Sequence, residues 1–225
     1  MKKILMVGLW AVLLFSPFKS SAQGITAGQG TGNIYFGLGS ALEKSDLEVD
    51  GKNLSWGNIG GEVGLSYLYF PSEFIGLGVD LHFAGFKGSQ SVEDVPGWWR
   101  WHTLKTEFSM STTQLMAIGR LNLNPSSPVR MYIPFGAGVV LSEAKMKYSW
   151  DDREVYKEED YNVSPGWYVG LGLEFDTNSA LTWGVEFRYN SFQYDYSDFA
   201  DFVGGRTISN ETERNYVSVV ATFRF

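Results

Sequence analysis

Ile75-Gly76-Leu77-Gly78-Val79-Asp80-Leu81-His82-Phe83-Ala84 alternates without a break. The odd positions, Ile75, Leu77, Val79, Leu81 and Phe83, are large and apolar. The even ones, Gly76, Gly78, Asp80, His82 and Ala84, are small or polar. Successive side chains of a strand point to opposite faces, so this is a strand with one greasy face. A helix would scatter both sets around its circumference.

The same period recurs on either side. Upstream, Ile34, Phe36, Leu38 and Leu42 oppose Gly37, Gly39 and Ala41. Ile59, Val63, Leu65, Tyr67 and Tyr69 then oppose Asn58, Gly60, Glu62, Gly64 and Ser66. Downstream, the clearest cases are Trp167, Val169, Leu171, Leu173 and Phe175 against Tyr168, Gly170, Gly172 and Glu174, and Val217, Val219, Ala221, Phe223 and Phe225 against Tyr216, Ser218, Thr222 and Arg224. Eight such segments predict strands at about 33–43, 57–70, 74–87, 111–124, 130–143, 165–176, 180–192 and 214–225. Three connections are short (Pro71-Ser72-Glu73, 124–128 and 176–179). The other four are long and polar, at about 43–56, 87–111, 143–164 and 191–213. An even strand count with short turns at one end is an all-β, eight-stranded antiparallel up-and-down barrel, and strands of ~10 residues suit a transmembrane one.

Alternation alone leaves open which face is inside. The small faces are rich in Gly, Ala, Ser and Asn, whereas a water-facing exterior would carry lysine and glutamate in quantity. Glycine belongs where an eight-stranded barrel has little interior room. The greasy face is therefore expected to look outward into lipid. Only a closed barrel or a helix satisfies every backbone N–H and C=O there. Tyr67, Tyr69, Phe70 and Phe74 gather at one short turn and Trp183 follows another, where an interfacial aromatic girdle is expected.

The N-terminus reads as an address. Lys2 and Lys3 precede an apolar run from Ile4 to Phe15, broken by Pro17 and Lys19, and Ser20-Ser21-Ala22 supplies the small residues of a cleavage site. Residues 1–22 are expected to be a signal peptide, leaving residues 23–225 as one barrel domain in the outer envelope. The 225-residue chain has no cysteine, 26 glycines, 16% aromatics and a net charge of −7. That acidity argues against nucleic acid. Two histidines and no cysteine leave little for a metal cage, so no metal and no cofactor are expected.

Charged side chains fall on the small faces: Glu62, Asp80, Glu174 and Glu186, with Arg120, Arg188, Arg224 and His82. An unpaired charge in a narrow lumen is costly, so these are expected to pair, filling the barrel and holding its register. Trp98-Trp99-Arg100-Trp101-His102, in the second long connection, offers either a stacking platform for an extracellular ligand or indoles at the lipid–water boundary. Asp151, Asp152, Glu154, Glu158, Glu159 and Asp160 make the third connection acidic, without the order of a calcium loop. The aspartates Asp195, Asp198 and Asp201 of the fourth read the same way. Ser191 has no histidine beside it, so no catalytic residue is assigned.

The signal, the eight alternating segments, Pro134-Phe135-Gly136-Ala137-Gly138-Val139 and the ending Val219-Val220-Ala221-Thr222-Phe223-Arg224-Phe225 together resemble small outer-membrane barrels of the OmpA/OmpX-like type, the outer membrane protein β-barrel domain family. The resemblance spans about residues 31–225. It implies a monomer in the bacterial outer membrane, in contact with its lipid and lipopolysaccharide, with long loops outside the cell. It also implies that Phe223 and Phe225 form a signal read by the outer-membrane assembly machinery. Members of the family differ in role, so surface binding, adhesion or envelope support stands beside a small porin-like channel and, more weakly, a lipid-modifying enzyme.

Overall fold

The computed structural model describes residues 25–42, 48–49, 52–53, 59–96, 101–150, 153–176, 182–194 and 212–225. The expected signal at 1–22, Trp98, Trp99, Asp151, Asp152, Asp195, Asp198 and Asp201 lie outside the described residues. The elements are β1 (Gln29–Ala41), β2 (Glu48–Val49), β3 (Lys52–Asn53), β4 (Ile59–Ser72), β5 (Ile75–Pro96), β6 (Trp101–Asn122), β7 (Val129–Trp150), β8 (Arg153–Phe175), β9 (Thr182–Tyr194) and β10 (Thr212–Arg224). Eight of them close a barrel in the order β1-β10-β9-β8-β7-β6-β5-β4, all neighbours antiparallel, while β2 and β3 form a separate two-stranded hairpin in the first long connection.

Closure depends on the last residue. β1 pairs with β10 from Asn33↔Arg224 to Ala41↔Tyr216. Beyond the register, Phe225 N donates to Gly32 O at 3.0 Å and Gly32 N to Phe225 O at 3.1 Å. The Phe225 ring lies against Gly32, where a Cβ would strike it. At the opposite wall the β6–β7 turn is bracketed by Asn124, which donates Nδ2 to Val129 O (2.9 Å) and accepts from Met131 N. An asparagine hydrogen-bonding the backbone around it is the usual way such a turn is pinned.

The apolar face does look outward. Phe36, Leu38, Ile59, Leu77, Val79, Leu115, Leu141, Val163, Leu171, Phe187 and Val219 are all exposed. They come from every barrel strand and form one continuous belt. A belt this large on a chain in water would be an aggregation site; around a closed barrel it is a lipid-facing surface. On it, Phe175 stacks on Trp183 at 4.3 Å and Phe36 on Phe223 at 5.5 Å.

Two features differ from the sequence expectation. Phe70 is not part of the girdle: it is fully buried and faces the interior, because it continues the inward-facing even positions Glu62, Gly64, Ser66 and Leu68 of β4. And β5 to β8 run 22 or 23 residues, through segments expected to be the second and third loops, whereas β1, β4, β9 and β10 run 13 or 14. Above the lipid both faces of a strand can be polar, so the hydrophobic alternation stops while the hydrogen-bond ladder continues.

Candidate functional site

The interior is organised by rings laid over glycines. Tyr35 faces Gly64, Tyr132 faces Gly172, Tyr168 faces Gly136 and Phe86 faces Gly60, each pair in direct cross-strand register. A Cβ on any of these glycines would collide with its ring. The glycines of the small face thus make room for inward-pointing aromatics, which alternation alone presented only as gaps.

Around these rings the charged side chains meet in tiers. Toward the short-turn end, Glu174 accepts from Arg120 Nη1 (2.7 Å) and Arg130 Nε (2.8 Å), and Arg224 Nη1 lies 3.0 Å from it. Arg130 also reaches Asp176 at 3.1 Å, and Arg120 donates Nε to Asn122 Oδ1 at 2.7 Å. The Arg120 guanidinium stacks on Tyr132, 3.6 Å from the ring centre.

In the next tier Tyr132 Oη donates to Glu186 Oε1 (2.8 Å) and Arg188 Nε to Glu186 Oε2 (2.6 Å). Arg188 lies 4.1 Å over Tyr35 and 5.1 Å over Tyr168. Tyr35 Oη donates to Asp80 at 2.7 Å, and His82 Nε2 sits 3.0 Å from Glu62 Oε2. Between the two arginine tiers remains a cavity of about 20 Å³, bordered by Arg120, Tyr132, Pro134, Tyr168, Glu186 and Arg188. That is room for about one water molecule.

All eight charged residues singled out in the sequence are buried in this interior. Sequence reasoning missed Arg130, Asp176, Tyr35 and the ring positions of Tyr132 and Tyr168. Arg130 opens the expected strand at 130–143, one residue ahead of its first alternating residue, Met131; counting the period back one step from Tyr132 would have placed it on the inner face. Also missed was an apolar cluster toward the long-loop end, which includes Phe86, Met110, Val140, Ala144, Phe192, Tyr194 and Tyr216. Phe86 and Tyr216 pack edge to face at 5.0 Å.

Outside the lipid belt, β5 to β8 continue as a four-stranded sheet. β5 pairs with β4 up to Lys87, and β8 pairs with β9 from Gly166. Beyond those points β5, β6, β7 and β8 pair only with one another among the described residues, to Leu104↔Trp150 and Trp150↔Arg153. Trp101, expected in a loop, opens β6 opposite Pro96. Glu154, Glu158, Glu159 and Asp160 likewise fall within β8.

The outer face of this sheet carries a charge ladder. Lys145 Nζ lies 2.8 Å from Glu143 and 3.6 Å from Glu159, Lys105 pairs with Glu107, and Tyr161 Oη donates to Glu143 at 3.0 Å. The hydrogen bond from Lys145 holds the Glu143 carboxyl below the usual glutamate range, and the same bond raises Lys145. Glu107 is lowered in the same way by Lys105, while Tyr161 is raised by its bond to Glu143. Ser191 donates to Glu213 at 2.7 Å. His82 is committed to Glu62 inside the barrel, far from the role a serine nucleophile needs filled.

The model of the family described as Outer membrane protein beta-barrel domain matches residues 10–225. No curated protein sequence matches the chain. Among solved structures, the chain is similar to OprG from Pseudomonas aeruginosa (15% identity, TM-score 0.48, covering 90% of this chain and 98% of that one). It is similar also to Neisserial surface protein A (14%, 0.45, 87% and 95%). A third is Ail, the attachment invasion locus protein of Yersinia pestis (15%, 0.45, 88% and 99%).

Proposed function

The chain belongs to the Outer membrane protein beta-barrel domain family, proteins of the bacterial outer membrane, and from that premise we propose that it is a non-catalytic surface-binding protein whose lumen is closed to solutes. Residues 1–22 export it, and the long-loop end faces out of the cell. The observation that carries this reading is the sheet of β5 to β8, which outruns the rest of the wall by about nine residues, roughly 30 Å of extended chain.

The sheet presents two strand margins, β5 beyond Lys87 and β8 ahead of Gly166, that no described strand pairs. Such a margin offers a row of backbone donors and acceptors to an incoming strand. Its charge ladder keeps it soluble and discourages self-pairing. A closed lumen is supported by the paired tiers and by the ~20 Å³ cavity, which is too small for a solute path.

The test compares intact cells bearing the full chain with cells bearing a variant in which the β5–β6 and β7–β8 hairpins are cut back to short turns. Loss of cell adhesion to host matrix proteins, with the barrel still folded, supports the reading. Unchanged adhesion overturns it. Stable single-channel steps from the purified chain in a planar bilayer would favour the porin-like alternative, and a mass shift in lipid A from cells carrying it would favour the enzyme.

A further inference from the structure

Gly61 on β4 and Gly85 on β5 are direct cross-strand partners, both exposed on the outer wall. They differ from Gly60, Gly64, Gly136 and Gly172, which lie under rings. A Cβ on Gly85 would meet nothing within 4 Å, and one on Gly61 only the Gly37 carbonyl at 4.0 Å. Neither adopts a left-handed backbone; among the described glycines that is Gly28 alone. Packing and backbone geometry therefore give no reason for glycine at either position, and glycine inside a strand weakens it. A strand glycine with open space beside it is a place where another molecule can approach the backbone closely.

These two residues line, with Gly60, Phe86 and Met110, a groove of about 510 Å³ in the barrel wall. Leu38 and Ile59, 68% and 71% exposed, line its apolar part. Lys87, Ser109, Ser111 and the Glu143–Lys145 pair line its polar part. The groove thus straddles the level at which the lipid belt gives way to the charge ladder. Lys145 is held by Glu143 and Glu159, but among the described residues no acid pairs with Lys87, which is exposed at the polar end.

A molecule that fits this wall needs a hydrocarbon tail on one side of that level and an anionic head on the other. We propose that the groove binds one phosphorylated lipid of the outer leaflet, with an acyl chain along Gly61 and Gly85 and a phosphate at Lys87 and Ser109. This assignment rests on the proposed orientation, with the long-loop end facing out of the cell, and stands or falls independently of what the protruding sheet binds.

The test is native mass spectrometry of the full chain folded in non-ionic detergent, titrated with diphosphorylated lipid A and, in parallel, with phosphatidylcholine. One lipid A is expected to be retained and phosphatidylcholine not. Lys87→Gln should weaken retention about tenfold, the loss of one charge-assisted contact. The double variant Gly61→Val/Gly85→Val fills the groove and should abolish retention while the heat-sensitive gel mobility of a folded barrel persists. Equal retention by wild type and Lys87→Gln, or equal retention of both lipids, overturns the proposal. A dimer lost in the glycine double variant would overturn it too, by assigning the groove to a second copy of the chain.

Discussion

The ring of Tyr132 lies flat against the bare backbone of Gly172, its direct partner across the β7–β8 ladder. This one pairing sets two others: it aims the Tyr132 hydroxyl at Glu186 and offers its face to the Arg120 guanidinium. Both arginine tiers of the interior are therefore indexed to a residue with no side chain.

Gly172→Ala should displace that ring, because the new methyl would occupy ring-carbon space. The expected cost is about 1–3 kcal/mol, as for overpacking a well-filled core. Thermal unfolding in detergent reads it out. Gly85→Ala, where the added methyl has open space, should leave the midpoint unchanged or raise it slightly, so equal losses in both variants would contradict the ring-over-glycine account.

Glu174 sits among Arg120, Arg130 and Arg224. Glu174→Gln leaves buried guanidinium groups without their carboxylate, a loss of about 3–5 kcal/mol. Glu143→Gln on the outer wall removes a partly exposed pair and should cost no more than about 1 kcal/mol. Urea unfolding from lipid vesicles, run on both variants, should separate them clearly; similar midpoints would mean the interior tier contributes no more than a surface pair.

On the outer wall the Lys145 hydrogen bond lowers Glu143 and raises Lys145. The contribution of Glu143 is therefore present above the ordinary glutamate value and disappears as pH falls through its lowered one. That of Lys145 is complete at neutral pH and fades only as pH rises through its raised value. The ladder is thus fully formed at neutral pH and loosens in acid. A carbon-detected NMR titration of Glu143 should give a midpoint below that of free glutamate, returning upward in Lys145→Gln. A midpoint indifferent to that substitution would mean the pair is not formed.

Removal of Phe225 takes away two hydrogen bonds and a ring from the seam with Gly32. The truncated chain should fold into lipid more slowly and yield less of the fast-migrating folded band, and Phe223→Ala should do so to a smaller degree. Folding yields equal to wild type would remove the terminal aromatics from barrel closure.

The number of barrel strands and their antiparallel order were legible, because a period of two is a local property that each segment states for itself. Glu62, Asp80 and His82 could be placed on one face by counting alone. Arg130 escaped because it stands at the margin of its alternating run, and Tyr35 because a large aromatic between Ile34 and Phe36 does not look like a residue of the small face. The extension of β5 to β8 escaped for a different reason: outside lipid no face must be apolar, so the signal that marks a strand vanishes while its hydrogen bonds persist.

The amino-acid order by itself therefore determined that this chain is a closed lipid-facing barrel, since the cost of unpaired backbone in hydrocarbon admits no other arrangement of eight such strands. It did not determine which acid meets which arginine, which ring covers which glycine, or that Gly61 and Gly85 stand side by side on the outer wall. Those depend on cross-strand register and closure, which bring residues tens of positions apart to within one hydrogen bond, and only the tertiary structure decides them.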